Sequence, residues 1–182
     1  GSYDQFVRRP TGVIEKLLGE GSYRTDLDGP VTQGDSWQLG ILLAHMLEKS
    51  GDLVESRCAP HGNGVIWASG EVSPAMDISP VDHMRQKFNE SRVQLQALHD
   101  NGETVTVLLH PSNHAEIADL IPEDWIIIAT ERVLDAAAAI FDSSGGLPPL
   151  PSSPSSAAFA SPPAAGLAAA FFAAVSPLPS GR

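Results

Sequence analysis

The chain has 182 residues, 22 acidic against 11 basic side chains, a formal charge of −11 at pH 7 and one cysteine. One cysteine excludes an intramolecular disulfide framework and a multi-cysteine zinc site, and the acidic balance argues against a nucleic-acid partner, which needs basic patches against phosphate. The longest apolar stretch, 164–175, has 12 residues; a membrane-spanning helix needs about 20, so no membrane partner is expected.

Residues 10–18 read as a short helix with Val13, Ile14, Leu17 and Leu18 apolar, and 23–27 as a weakly patterned strand. Asp28-Gly29-Pro30 reads as a turn and Gln33-Gly34-Asp35 as a tight loop. Over 36–49, Leu39, Leu42, Leu43, Met46 and Leu47 recur at helical spacing, and Ser36 stands where an N-cap belongs. Residues 51–64 are irregular and 65–68 form a short apolar strand. A second long helix is predicted over 81–99, its stripe formed by Val81, Met84, Phe88, Leu95 and Leu98. The β-branched run 104–109 is a buried strand. Ser112 opens a helix to about residue 120, 124–129 is another strand, and Thr130 opens the last helix, to 141. Strands alternating with helices predict an α/β to α+β domain of short sheets and packed helices.

Composition divides the chain. Of the 41 residues in 142–182, 31 are Ala, Pro, Ser or Gly, eight of them prolines, and only Asp142 and Arg182 are charged. This reads as a disordered Ala/Pro/Ser-rich tail, in which 166–175 is the one stretch able to form a short helix, with Phe171 and Phe172 exposed. Residues 1–26 are a lead-in of a short helix and strand, and 27–141 are the main domain.

Phosphate-binding and dinucleotide loops are absent, as is a zinc-protease helix. Cys58 and His61, and His110 and His114 with Pro111 between them, have loose metal-ligand spacings but read as solvated loop residues, so neither a metal nor a cofactor is expected. Gly34-Asp35-Ser36 is more pointed. A serine after a glycine turn, at the start of an apolar helix, has its hydroxyl beside unpaired backbone N–H groups that suit a developing oxyanion; a plain capping serine has the same local sequence. A serine nucleophile needs a base. His45, His83 and His99 lie in the predicted helical segments with no tie to Ser36. A lysine serves only when burial makes it neutral. Of Lys16, Lys49 and Lys87, the last stands at the edge of the Met84–Phe88 stripe, where a snorkelling lysine would also stand.

Taken in order, the segments resemble the proteolytic domain of the Lon family, serine proteases with a Ser–Lys dyad. Gly34-Asp35-Ser36 is similar to the family's nucleophile segment, commonly Gly-Pro-Ser-Ala-Gly, and is nearest to the Gly-Asp-Ser variant of its archaeal branch. Ala68-Ser69-Gly70-Glu71-Val72 is similar to its Thr-Gly-Glu segment. Pro80, Val81 and Met84-Arg85-Gln86-Lys87-Phe88 resemble the lysine segment, with Lys87 on the catalytic position and Arg85 on the non-catalytic one. Residues 104–111 are similar to the family's next strand and its proline, and Ile121-Pro122 and the closing helix also fit, so the resemblance spans 27–141. It departs where Trp37 and Gln38 replace small residues, Asp82-His83 replaces a Gly-Gly pair and Ser69 replaces threonine, and the 51 positions from Ser36 to Lys87 exceed the usual spacing.

The resemblance implies a serine endopeptidase. Ser36 is the nucleophile, Lys87 the base and Ser69 the hydroxyl that holds the lysine. Gly34, Asp35 and Trp37 belong to the oxyanion loop and cleft, with Trp37, Met84 and Phe88 shielding Lys87. Asp35 must point away, because a carboxylate there would keep the lysine charged. The partners implied are protein or peptide substrates, further copies of the chain in a homo-oligomer, and either an ATPase module elsewhere in the parent chain or substrates already unstructured. The alternative is a catalytically inactive Lon-like domain acting as a binding or assembly module. With one cysteine and no secretory pattern at the start, the expected location is cytoplasmic.

Overall fold

The computed structural model describes residues 2–8, 12–24, 34–51, 64–142 and 169–173. In chain order its elements are α1 (Ser2–Val7), α2 (Val13–Leu18), α3 (Gln38–Ser50), β1 (Gly64–Ser69), β2 (Glu71–Val72), β3 (Ile78–Ser79), α4 (Met84–Asp100), β4 (Thr104–Leu109), α5 (Pro111–Ile117), β5 (Ile126–Ala129), α6 (Val133–Asp142) and β6 (Ala169–Ala173).

β1 is apolar without alternation, as a strand covered on both faces requires, and it is buried along its whole length. It pairs in parallel with β4 from Gly64↔Thr104 to Ser69↔Leu109, and β4 pairs in parallel with β5. The sheet order is β5-β4-β1-β6, beside a separate two-stranded antiparallel hairpin of β2 and β3. The two-residue period of the strands divides the core. Val65, Trp67, Val105, Val107 and Leu109 face Met84, Phe88 and Leu95 of α4 and Ile117 of α5. Ile66, Ala68 and Leu108 belong instead with Leu39, Leu42 and Leu43 of α3, with α6 and with Phe6 and Val7 of α1. The domain is therefore α/β, with helices on both faces of a parallel sheet.

Several predicted boundaries move, each for a local reason. α3 begins at Gln38, not Ser36: the residue before it, Trp37, already has helical dihedrals and no side chain caps the end. α4 begins at Met84, not Val81. Both backbone groups of Val81 are taken by the Asn113 side chain, and His83 turns the chain with φ 60°. α5 is capped by His110, whose Nδ1 accepts the Ser112 N–H at 3.1 Å, with Pro111 in the first helical position where its missing N–H costs nothing. α6 begins at Val133 rather than Thr130. Tyr23 and Arg24 are not in a strand; Tyr23 Oη donates to the Gly19 carbonyl at 2.7 Å.

The tail is corrected as well. Residues 169–173 are not helical; they are the strand β6, paired in parallel with β1 from Gly64↔Ala169 to Ala68↔Ala173. Without it, β1 would present a row of unpaired backbone groups on an edge carrying neither charge nor proline. The predicted turn at 28–30, the irregular residues 52–63 with Cys58 and His61, and the remaining tail lie outside the described residues. Among the described residues no helix is long and apolar enough to cross a membrane.

Candidate active site at the end of β1

The C-terminal ends of parallel strands are where loops converge in α/β sheets. Beyond β1 the backbone of Gly70 is held by the turn that leads into α3: its N–H donates to the Ser36 carbonyl at 3.0 Å and its carbonyl accepts the Leu39 N–H at 3.1 Å. Gln38 Oε1 accepts the Val72 N–H at 2.8 Å, a third tie between the two segments. Only glycine fits here, because a Cβ on Gly70 would lie 2.8 Å from Ile78 Cγ2 and 3.1 Å from Leu39 Cδ2. The nucleophile candidate Ser36 and the strand end carrying Ser69 are thus bound together through the backbone.

Ser36 is 8% exposed. Its hydroxyl caps nothing, and among the described residues no acceptor takes the N–H of Ser36 or Trp37. Gly34 is exposed in the left-handed region, φ 77°, and its carbonyl accepts Trp37 Nε1–H at 2.9 Å, which closes the turn. Asp35 is exposed, and its carbonyl accepts the Gln38 N–H at 3.0 Å. Trp37 is buried against Phe6 of α1, ring centroids 5.4 Å apart and edge to face. It belongs to the α3 side of the sheet, whereas Met84 and Phe88 belong to the other, so the expected shielding of Lys87 by Trp37 is corrected: the indole braces the turn.

Val65, Trp67 and Ser69 alternate onto the α4 face of β1. Ser69 is fully buried and its Oγ has no hydrogen-bond partner. Above that face, Phe88 packs edge to face on Trp67, centroids 5.3 Å apart. Lys87, next to Phe88 and one turn into α4, is half-buried. That burial lowers the pKa of its amine from the ordinary lysine value, while the nearby Asp82 carboxylate opposes the shift. The carboxylate acting on the lysine is therefore Asp82, not Asp35. No hydrogen bond joins the side chains of Ser36, Ser69 and Lys87.

Two positions carry more than the sequence suggested. Asn113 is fully buried and grips Val81 like a strand partner, accepting its N–H and donating to its carbonyl, both at 2.8 Å. Arg85 makes a bidentate pair with Asp119, at 2.7 and 2.9 Å, and donates to the Glu116 carbonyl. Together they fasten the start of α4 to α5 and its C-terminal flank, one turn from Lys87. The Pro111-Ser112-Asn113 helix start was visible in sequence; the partner of Asn113, 32 positions upstream, was not.

Three of the described histidines are engaged elsewhere. His45 is buried, its Nε2 3.1 Å from Tyr3 Oη, His99 meets Asp124 at 3.3 Å, and His110 caps α5. Among the described residues no group of three or more metal-ligating side chains is assembled. No family model, no curated protein and no solved structure matches the chain.

Proposed function

We propose that the chain is a serine endopeptidase of the Lon type, working with a Ser36–Lys87 dyad on protein or peptide substrates. The observation that carries this reading is that α4, which bears a half-buried lysine of lowered pKa, covers the face of β1 whose last residue is a fully buried, unpartnered serine. A lysine must be neutral to act as a base, and desolvation is what makes it so. A buried hydroxyl without a partner costs stability and is retained where a ligand or a moving side chain completes it.

In this reading Ser36 Oγ attacks the scissile carbonyl carbon while neutral Lys87 Nζ takes the hydroxyl proton. The N–H groups of Ser36 and Trp37 receive the oxyanion. The C–N bond breaks as Lys87 returns the proton to the leaving amine, which leaves a Ser36 ester. Water, deprotonated by the same lysine, then hydrolyses the ester and restores the serine. Ser69 accepts from or donates to the lysine amine and fixes its direction.

The second reading, a catalytically inactive domain of this type serving as a binding or assembly module, is favoured by the burial of Ser36 and by Asp82, which supports the charged lysine. A serine-directed phosphonylating probe, read by intact mass across pH, separates the two. The dyad gives one adduct on the wild type, none on Ser36→Ala or Lys87→Ala, and a rate that rises as the lysine loses its proton. A folded wild type that stays unlabelled through that range supports the binding module. Peptide cleavage that survives in both variants ends the dyad.

A further inference from the structure

β1 is the strand that carries Ser69, and its two edges are held very differently. On one edge, six residues pair with β4, which belongs to the body of the domain. On the other, five residues pair with β6, supplied from the Ala/Pro/Ser-rich tail after the 26 residues 143–168. Among the described elements β6 packs chiefly against β1 and α3. Five residues added to an edge in this way form a small, locally openable unit. The edge itself, Gly64 to Ser69, carries no lysine, proline or acidic residue of the kind that blocks strand addition.

The register makes this edge relevant to the candidate site. Ala173 pairs with Ala68, one residue before Ser69, and Gly70, two residues on, gives both backbone groups to the Ser36–Leu39 turn. A strand here runs parallel to β1 and ends about 7 Å short of the turn that holds the nucleophile candidate, measured along the chain. The sequence that occupies it, Ala169-Ala170-Phe171-Phe172-Ala173, has no charge, glycine or proline.

We propose that the outer edge of β1 is a docking site for extended peptides of small and aromatic apolar residues, added as a parallel strand, and that residues 169–173 are its built-in occupant. The tail then competes in cis with peptides offered in trans. A tethered segment is present at an effective concentration near the millimolar range, so free peptides of similar affinity are largely excluded until it lifts off. The docking stands on register alone; its consequence, that the docked strand leads substrate to Ser36, rests on the peptidase reading above.

The test uses the full chain. Ala170→Pro with Phe171→Pro, two consecutive prolines, removes ladder donors whichever register position faces β1. The probe is a fluorescein-labelled acetyl-Ala-Ala-Phe-Phe-Ala amide, followed by anisotropy. The proline variant is expected to bind it at least about tenfold tighter than the wild type, to reject the same peptide with prolines at positions two and three, and to bind it equally well with Ser36→Ala added. No gain in binding by a variant that keeps its tryptophan near-UV signal overturns the docking site. Hydrogen exchange on the wild type covers the case of a variant that fails to fold. The amides of 169–173 are expected to be protected, and millimolar peptide to abolish that protection; unprotected amides overturn the proposal. Peptide binding without any probe adduct on Ser36 upholds the docking site and sinks the peptidase reading alone.

Discussion

The side chain of Asn113 takes both backbone groups of Val81, at 2.8 Å each, from a fully buried position 32 residues downstream. This clamp sets where α4 starts, and α4 carries Lys87 in its first turn. Replacing Asn113 by alanine leaves the Val81 N–H and carbonyl without partners, a loss of about 2–3 kcal/mol when two modest hydrogen bonds and the exposed penalty are combined. The expected result is a urea midpoint lowered at unchanged slope, with probe labelling of Ser36 slowed. Full stability in Asn113→Ala would show that water replaces the amide and that the clamp holds nothing.

Ser69 offers a contrast, because its hydroxyl is buried with no partner. Ser69→Ala removes an unsatisfied polar group from the face of β1 that α4 covers. It is expected to be neutral or to stabilise the fold by about 1 kcal/mol, while probe labelling of Ser36 falls at least tenfold. Stability and labelling that fall together would mean that the hydroxyl is a structural group with a resident partner.

How much of this was legible depended on the range of the forces. The strand at 104–109 appeared at its predicted bounds, since an uninterrupted β-branched run in a buried parallel strand is its own signal. The stripe of Met84, Phe88 and Leu95 was readable from helical spacing for the same reason. What escaped was set by distant partners. Asn113 looks like any polar residue in a helix start, and its role depends on a loop far upstream. His110 caps α5 through a ring nitrogen, a choice that local sequence leaves to Ser112. β6 was invisible because an alanine-rich segment has no strand signature of its own; the open edge of β1 decides it. Trp37 was assigned to the cleft by its place after Ser36, and packing against Phe6 draws it to the opposite face.

Asp82 and Lys87 give a pH prediction with a definite sign. Burial lowers the lysine pKa and the Asp82 carboxylate opposes that shift, so Asp82→Asn lowers it further. The pH at which probe labelling reaches half its maximum should move down in Asp82→Asn, with the alkaline plateau unchanged. The same shift affects stability. Because the folded-state value lies below the unfolded one, the stability associated with Lys87 is highest at alkaline pH and is lost as pH falls through the folded value. Lys87→Met, which abolishes labelling, should therefore be more stable than the wild type at neutral pH, with the difference narrowing as pH rises. A midpoint that moves up in Asp82→Asn, or a Lys87→Met gap that widens with pH, contradicts the assignment.

Gly70 tests whether the turn and the strand end act as one unit. A methyl group there would press on Ile78 Cγ2 at 2.8 Å and Leu39 Cδ2 at 3.1 Å, both buried in the core. Both side chains are packed in the core, so Gly70→Ala should cost about 1–3 kcal/mol through overpacking. The strain falls on the backbone that holds Ser36 and Leu39, which is how a methyl group remote from the chemistry reaches the nucleophile. Probe labelling should drop further than stability accounts for, even at temperatures where the variant is fully folded. Ile78→Ala added to Gly70→Ala removes the Cγ2 methyl that the new Cβ meets, so it should restore part of the labelling and make the two stability losses less than additive. If the stability losses are less than additive but labelling is unchanged, the contact between Gly70 and the turn does not position Ser36.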